Sequence, residues 1–197
     1  MKPQDSREYR VMSGSVVGFS GNFIRPSKTR ALVEGVARDV AGQAGRDALS
    51  FDILDLGPSF ATARWAAELD EQGATVLNAV VNADLLVVGS PTYKGSYTGL
   101  FKHFFDLVDP LALRGKPVLL LATGGGDRHA LVVEHQLRPL FAFFEARVLP
   151  TATFVTERDF LDGTLHAPAA LERIARSVED AVSALGERAI PRKQAAE

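Results

Sequence analysis

The chain contains no cysteine, and this absence excludes disulfides, thiolate catalysis, iron–sulfur clusters and thiolate zinc sites. It also lacks an excess of either charge, because 22 lysines and arginines stand against 24 acidic residues for a net charge of −2. The basic residues are scattered, so no surface for nucleic acid is expected. No apolar run approaches the roughly 20 residues of a membrane-spanning helix, so no membrane partner is expected. A chain without disulfides suits the cytoplasm, which is the expected location.

The 197 residues are 46% hydrophobic, which is enough apolar material for one folded domain. Residues 1–13 are polar and contain no apolar segment, so we predict a flexible N-terminal segment rather than a secretory signal. Residues 187–197 are polar, contain Pro191, and are predicted to form a flexible tail. The folded domain is therefore predicted to span residues 14–186.

Short apolar runs alternate with segments of helical periodicity along this domain. The predicted strands are Val16–Phe19, Phe51–Leu54, Leu85–Gly89, Val118–Ala122 and Thr151–Val155. The predicted helices are Lys28–Gln43, Ala74–Ala83, Leu100–Val108, Ala130–Phe144 and Pro168–Leu185, with a long connection, Gly57–Gly73, before the second. This alternation implies a parallel sheet covered by helices on both faces. Five such units match a flavodoxin-like three-layer sandwich of strand order 2-1-3-4-5, whose ligands bind at the carboxyl ends of strands one, three and four.

The loop after the first predicted strand is rich in hydroxyl and cationic side chains and runs directly into a helix. Its candidate ligand-binding residues are Ser20, Asn22, Arg25, Ser27, Lys28 and Thr29. A helix N-terminus offers free N–H groups and a positive partial charge, and hydroxyls and a guanidinium can complete a shell around phosphate oxygens. The alternative is that Ser27 merely caps the helix; a cap needs one such residue and this loop has several, which favours phosphate binding.

The sequence of this loop partly matches two known motifs, the nucleotide-binding P-loop and the nucleophile elbow of hydrolases. Residues 22–29 resemble the P-loop, but Asn22 and Ser27 replace the two glycines that let backbone amides wrap a polyphosphate. Residues 18–22 resemble the hydrolase elbow G-x-S-x-G, but Asn22 again replaces the final glycine. Neither a nucleoside triphosphatase nor a hydrolase is therefore favoured.

The loop after the third predicted strand, residues 90–99, contains a stiff proline, hydroxyls and two aromatic rings, Tyr93 and Tyr97. Its candidate residues are Pro91, Thr92, Tyr93, Lys94, Gly95 and Ser96. Gly95 allows a close approach of the backbone to a ligand. The loop has no obvious acid–base pair, which suits holding a flat cofactor with polar edges. The alternative is that the tyrosines only pack at the start of the next helix.

The loop after the fourth predicted strand contains three consecutive glycines. Its candidate residues are Thr123, Gly124, Gly125 and Gly126. A glycine run costs conformational entropy, which a tight turn or a close backbone contact must offset. One ligand with a terminal phosphate and a flat heterocycle would span all three loops, and flavin mononucleotide (FMN) has that shape. Backbone N–H groups at the ring edge would stabilise its reduced anion.

Four sequence segments resemble the NAD(P)H-dependent FMN reductases of the flavodoxin-like superfamily. They are Pro26-Ser27-Lys28-Thr29, then residues 90–99 (SPTYKGSYTG), then Leu113-Arg114-Gly115-Lys116-Pro117 leading to Leu121-Ala122-Thr123-Gly124-Gly125, and then residues 129–140, which end in Leu137-Arg138-Pro139-Leu140. The resemblance is greatest to the reductase components of two-component alkanesulfonate and methanesulfonate monooxygenases. It implies that NADH or NADPH passes hydride to FMN, and that reduced FMN leaves for a separate monooxygenase. Hydride passes directly between cofactors, so no catalytic acid or base is assigned.

The fourth predicted helix contains Pro139, which lacks the N–H that would bond the carbonyl of His135. A π-bulge is one way to absorb this, and such bulges favour functional sites. By resemblance to the sulfonate-type reductases, His135 falls where an aromatic residue is inserted in a π-helix at the tetramer interface. The helix is apolar nearly all round, which favours a homodimer or homotetramer. The alternative is a simple proline kink with His135 packed in the core.

Other functions remain open from sequence. A reductase that retains its flavin and reduces quinones, azo dyes or chromate shares the phosphate loop, and a flavodoxin-like electron carrier shares the fold. Such carriers are strongly acidic, whereas this chain is near neutral. His129 and His135 are six residues apart and not on one helical face, so no metal site is predicted.

Overall fold

Parallel pairing organises the central sheet in the computed structural model, which describes residues 15–189. The strands of this sheet are β1 (Ser15–Ser20), β2 (Asp47–Asp52), β3 (Leu85–Pro91), β4 (Pro117–Gly124), β5 (Arg147–Val148) and β6 (Thr153–Thr156). They lie in the order β2-β1-β3-β4, and β4 pairs on its other side with both β5 and β6. The predicted flavodoxin-like order is confirmed, with two short strands sharing the fifth position.

Helices cover both faces of the sheet, as predicted. They are α1 (Lys28–Ala44), α2 (Glu71–Asn82), α3 (Gly99–Asp106), α4 (Arg138–Phe143) and α5 (Pro168–Ala189). Alternate residues of the central strands point to opposite cores: Val17 and Val88 pack in the core with α2, α3 and α4, whereas Val16 and Val87 pack with α1 and α5. Burial on both faces explains why β1, β3 and β4 are continuous apolar runs.

The second strand was predicted wrongly. Residues 53–56 form a short 3₁₀ helix, and the strand precedes them as β2. Asp52 caps that helix by accepting a hydrogen bond from the backbone N–H of Leu54. The strand is at the edge of the sheet and only its last residue is fully buried, so it has no continuous apolar run, while the apolar Ile53 and Leu56 reach the core from the helical turn.

Three other boundaries differ from prediction. Asp70 caps α2, which therefore starts at Glu71 and shortens the long connection, and two 3₁₀ turns occupy part of that connection. The fourth helix is divided into a π-helix, Val133–Leu137, and the short α4. A two-stranded hairpin that was not predicted, β7 (Phe160–Leu161) and β8 (Thr164–Leu165), follows β6.

The last helix continues through residues 187–189, which were predicted to belong to the tail. The rest of the predicted tail and the predicted segment 1–13 lie outside the described residues. Within residues 15–189, none of the helices has the length and apolar character needed to cross a membrane.

Candidate functional site

Hydrogen bonds to backbone carbonyls join the three loops at the carboxyl ends of β1, β3 and β4. The N–H of Gly21 donates to the carbonyl of Gly89 over 2.7 Å, and the Thr98 hydroxyl donates to the carbonyl of Gly21 over 2.8 Å. The N–H of Thr92 donates to the carbonyl of Thr123 over 2.7 Å. These bonds cross between loops, so the three segments that the sequence singled out form one surface.

A contact between side chains also joins the first loop to the third. The hydroxyls of Thr29, at the start of α1, and Thr123, at the end of β4, are 2.6 Å apart and buried. The first loop is therefore bonded to the third as well as to the second. Since each tip is held by the others, the site is preorganised by the fold.

A cavity of about 350 Å³ lies between the three loops, within the size range of ligand pockets. Ten predicted residues line it: Asn22, Ser27, Lys28, Thr29, Pro91, Thr92, Tyr93, Thr123, Gly124 and Gly125. Six predicted residues lie outside its lining: Ser20, Arg25, Lys94, Gly95, Ser96 and Gly126. Six lining residues were not predicted: Phe23, Ile24, Pro26, Thr156, Glu157 and Phe160.

The residues around Thr156 could have been predicted from the strand order. The stretch around Thr156 follows β6, and β6 pairs with β4 in parallel, so its carboxyl end must lie at the same edge of the sheet as the other loops. The predicted strand ended at Val155, whereas β6 ends at Thr156, and the residues just after this end were not considered as ligand-binding residues. Phe23, Ile24 and Pro26 belong to the first loop but are apolar, and a search for polar phosphate ligands passes over them.

One end of the cavity has the features of an anion site. Ser27 caps α1, accepting a hydrogen bond from the N–H of Arg30 over 3.2 Å. Ser27, Lys28 and Thr29 still line the cavity at the positive end of the 17-residue helix. The Lys28 ammonium lies 3.8 Å from a Glu157 carboxylate oxygen and 5.6 Å from the centre of the Phe160 ring.

Arg25, predicted as a phosphate ligand, pairs with two carboxylates and lies outside the cavity lining. Its guanidinium donates to both oxygens of Asp52, at 2.8 and 2.6 Å, and to Asp55 at 2.7 Å. Arg30 contacts the same two carboxylates, at 2.7 and 3.0 Å. Both arginines are thus neutralised, because Asp52 at the end of β2 and Asp55 in the 3₁₀ helix that follows bind them.

Asp52 is the centre of this four-residue cluster, and its side chain is fully buried. Burial by itself would raise the pKa of Asp52, but hydrogen bonds from Arg25, Arg30 and Asn22 outweigh it and hold the pKa below its ordinary value. Asn22 joins the cluster by donating to Asp52 over 3.0 Å, and the Ser20 hydroxyl donates to Asn22 over 2.6 Å. Ser20 and Asn22 therefore connect the first loop to Asp52.

Thr92 carries an unsatisfied polar atom at the cavity. Its hydroxyl is buried and has no hydrogen-bond partner within the part of the chain that the structure describes. Buried hydroxyls without partners are uncommon and call for a ligand or a water. Nearby, a Cβ on Gly124 would come within 2.7 Å of the Phe154 ring, so a side chain there would disturb the wall of the cavity.

A flavin mononucleotide fits this set of groups. The anion end matches a phosphate, and the unpartnered Thr92 hydroxyl and the glycine loop match the polar edge of a ring system. A larger cavity, of about 620 Å³, lies beside α2 and is lined by Arg30, Asp55 and Asp70 among others. It contains none of the three loop ends, so volume alone does not identify the site.

The helix near the second loop widens as the proline predicted. Within the π-helix the N–H of Arg138 reaches back five residues to the carbonyl of Val133, and Pro139 follows in the first turn of α4. His135 is exposed, which differs from the alternative in which it packs in the core. Leu131 and Phe143 of the same region are also exposed, at 67% and 68%.

The strand order and a cavity at the ends of β1, β3 and β4 define a flavodoxin-like protein. The chain matches the family model described as NADPH-dependent FMN reductase over residues 15–160, so it belongs to that family. It is an oxidoreductase for which FMN is the flavin and a nicotinamide nucleotide is the hydride donor.

Named relatives agree with this assignment. The NADH-dependent FMN reductase SfnE of Pseudomonas putida is 41% identical, with 92% of this chain and 97% of the relative covered. An FMN reductase (NADPH) of Pseudomonas aeruginosa is 42% identical over 88% of this chain and 93% of the relative. An oxidoreductase structure from Corynebacterium diphtheriae has a TM-score of 0.77 and 30% identity, covering 89% of this chain and 99% of that one.

Proposed function

We propose that FMN binds in the 350 Å³ cavity, with its phosphate at the start of α1 and its ring against the second and third loops. The supporting observation is that Thr92, which lines this cavity together with Ser27, Lys28 and Thr29, has a buried hydroxyl with no hydrogen-bond partner among the described residues. The first loop would hold the phosphate through hydroxyls, free helix N–H groups and the Lys28 ammonium. The second and third loops would bind the ring edge.

The bound flavin supplies the redox chemistry by accepting a hydride from NADH or NADPH. The chain's own residues bind and orient the two molecules, and we assign none of them as a catalytic acid or base. The ionisable groups Lys28 and Glu157 line the cavity and face each other over 3.8 Å. Hydride transfer needs no proton relay at those positions.

The charge at the phosphate end supports a flavin that exchanges rather than one that stays bound. Arg25 and Arg30 are neutralised by Asp52 and Asp55, and Lys28 faces Glu157. A dianionic phosphate therefore meets little uncompensated positive charge, and its affinity depends on directional hydrogen bonds. We propose that reduced FMN is released to a separate flavin-dependent monooxygenase of the alkanesulfonate or methanesulfonate type. The cytoplasm, which supplies nicotinamide nucleotides, is the proposed location.

We further propose that the chain assembles as a homodimer or homotetramer through the π-helix region. Leu131 and Phe143 are large apolar side chains left mostly exposed on either side of His135, and exposed apolar patches mark contact surfaces. Sedimentation velocity on the wild type and on His135→Ala measures this directly. A wild type that stays monomeric at micromolar concentration would contradict the proposal.

The experiment for the flavin site compares two buried hydroxyls that have no hydrogen-bond partner among residues 15–189, Thr92 at the cavity and Ser15 at the far end of β1. Thr92→Val is expected to raise the Kd for FMN about three- to tenfold, the net contribution of one hydrogen bond. Ser15→Ala removes the matched hydroxyl far from the cavity and should leave the Kd unchanged. Flavin fluorescence titrations give both values; equal affinity in the wild type and Thr92→Val would refute the placement.

Steady-state kinetics test the reaction itself. NADH and NADPH oxidation should rise with added FMN and saturate, and the ratio of the two kcat/KM values identifies the preferred donor. A flavin-retaining reductase would instead purify with bound FMN and reduce a quinone faster than free FMN.

A further inference from the structure

The tip of the second loop is a two-residue turn with a strained backbone. Lys94 and Gly95 both have positive φ, 54° and 85°, and Tyr93 and Ser96 exchange two backbone hydrogen bonds of 2.9 and 3.2 Å. A left-handed conformation costs energy at a lysine, and an isolated two-residue hairpin is marginal by itself. The turn therefore depends on contacts with the rest of the protein.

Two side-chain contacts hold the turn, one from each flank. On one flank the Tyr93 ring meets the Phe23 ring edge-on, with centroids 5.7 Å apart, and both rings line the proposed flavin cavity. On the other flank the Ser96 hydroxyl donates to the side-chain oxygen of Gln136 over 2.9 Å, in a half-buried setting. Ser96 itself lies outside the cavity lining, so this second contact acts on the site through the turn.

The π-helix brings Gln136 to the turn. Val133 and Leu137, at its two ends, are buried in the core, while Glu134 and His135 between them are exposed. Gln136 is half-buried between these two groups. The widened turn that Pro139 favours thus leaves one polar side chain facing the loop rather than the core or the solvent.

We propose that Gln136 is a positioning residue for the flavin site, holding the Tyr93–Ser96 turn so that Tyr93 forms the cavity wall. This inference rests on the proposed placement of FMN. It assigns the π-helix a task inside one protomer, in addition to any contact between copies. Because the turn borders the ring end of the cavity, its loss affects binding of the flavin ring and leaves the phosphate contacts unchanged.

The test compares Gln136→Leu, which removes the acceptor, with Gln136→Glu, whose carboxylate oxygen still accepts a bond from Ser96. Gln136→Leu is expected to raise KM and Kd for FMN about three- to tenfold, with kcat within about twofold of the wild type. Riboflavin, which lacks the phosphate, should lose affinity by the same factor. Gln136→Glu should restore both values to within about twofold, and thermal melts verify that each variant is folded.

A second background isolates the hydrogen bond. In Ser96→Ala, Gln136→Leu should cause no further loss, since the bond is already gone. An unchanged KM in Gln136→Leu, or an equal loss in both backgrounds, would overturn the inference. If Thr92→Val weakens FMN binding while Gln136→Leu does not, only the role of Gln136 fails. If neither variant weakens binding, the placement of FMN fails.

Discussion

Asp52 is a fully buried carboxylate that binds two arginines behind the first loop, and its replacement by asparagine is the sharpest test of how this loop is held. One carboxylate oxygen accepts from Asn22 at 3.0 Å, from Arg25 at 2.8 Å and from Arg30 at 2.7 Å. In Asp52→Asn one oxygen becomes an NH₂ group. If that group faces these partners, donors oppose donors.

The expected loss of unfolding free energy in Asp52→Asn depends on how buried the ion pairs are and on the contacts that the two arginines keep. Removing one partner of a buried ion pair costs about 3–5 kcal/mol. The loss here should be near the lower limit, about 3 kcal/mol, because Arg25 is 41% and Arg30 25% exposed and both keep Asp55. The helix cap survives, since asparagine caps as well as aspartate. A loss of this size is a large part of the 5–15 kcal/mol that stabilises a typical domain.

Urea unfolding at pH 7 measures this loss, provided that the dependence on urea is the same in both proteins. Asp55→Asn is the matched control: its carboxylate is 28% exposed, so about 1 kcal/mol is expected. A penalty for Asp52→Asn no larger than that of Asp55→Asn would refute the reasoning.

The pH dependence gives a second, independent readout. The pKa of Asp52 is lowered in the folded protein. Its stabilisation is therefore present above the unfolded pKa of about 3.9 and is lost as pH falls through the folded value. The difference in unfolding free energy between wild type and Asp52→Asn should thus shrink below about pH 4. A constant difference down to about pH 3 would contradict the assigned role of the charge.

Three further substitutions have distinct expected outcomes. Glu157→Gln should tighten FMN binding about two- to fourfold at low salt by freeing Lys28, with no change for riboflavin and no effect at about 1 M NaCl; a titration in which riboflavin responds equally would contradict this. Gly124→Ala should cost about 1–3 kcal/mol in urea unfolding and weaken FMN binding, because its Cβ would displace the Phe154 ring. Phe104→Ala, at a fully buried position, should cost about 3–5 kcal/mol, and a loss under about 1 kcal/mol would show that the core refills the space.

Much of the fold could be predicted because burial on two faces leaves a clear pattern. The central strands are apolar runs, and their alternation with helices implies the strand order and places the loop ends on one edge. The edge strand β2 was misplaced because it lacks the burial on two faces that marks the central strands. Only the last of its six residues is fully buried, so it has no apolar run, and the nearest such run belongs to a 3₁₀ turn.

Part of the site could be predicted, because residues close in the chain remain close in the folded loop. Ser27, Lys28 and Thr29 line the cavity as expected from a helix start. Arg25 could not be placed in this way. The carboxylates that bind it lie 27 and 30 residues further along the chain, and no local pattern links them.

The amino-acid sequence alone determined the layered α/β architecture and the three loops that meet at one edge of the sheet, because each depends on local residue type or on hydrophobic periodicity. Only the tertiary structure decided that the helix widens before Pro139 rather than kinking, that Thr92 lacks a partner among the described residues, and that Gln136 meets Ser96. The last two are properties of side chains brought together from distant segments. Short-range hydrogen bonding and charge neutralisation depend on distances that folding alone establishes.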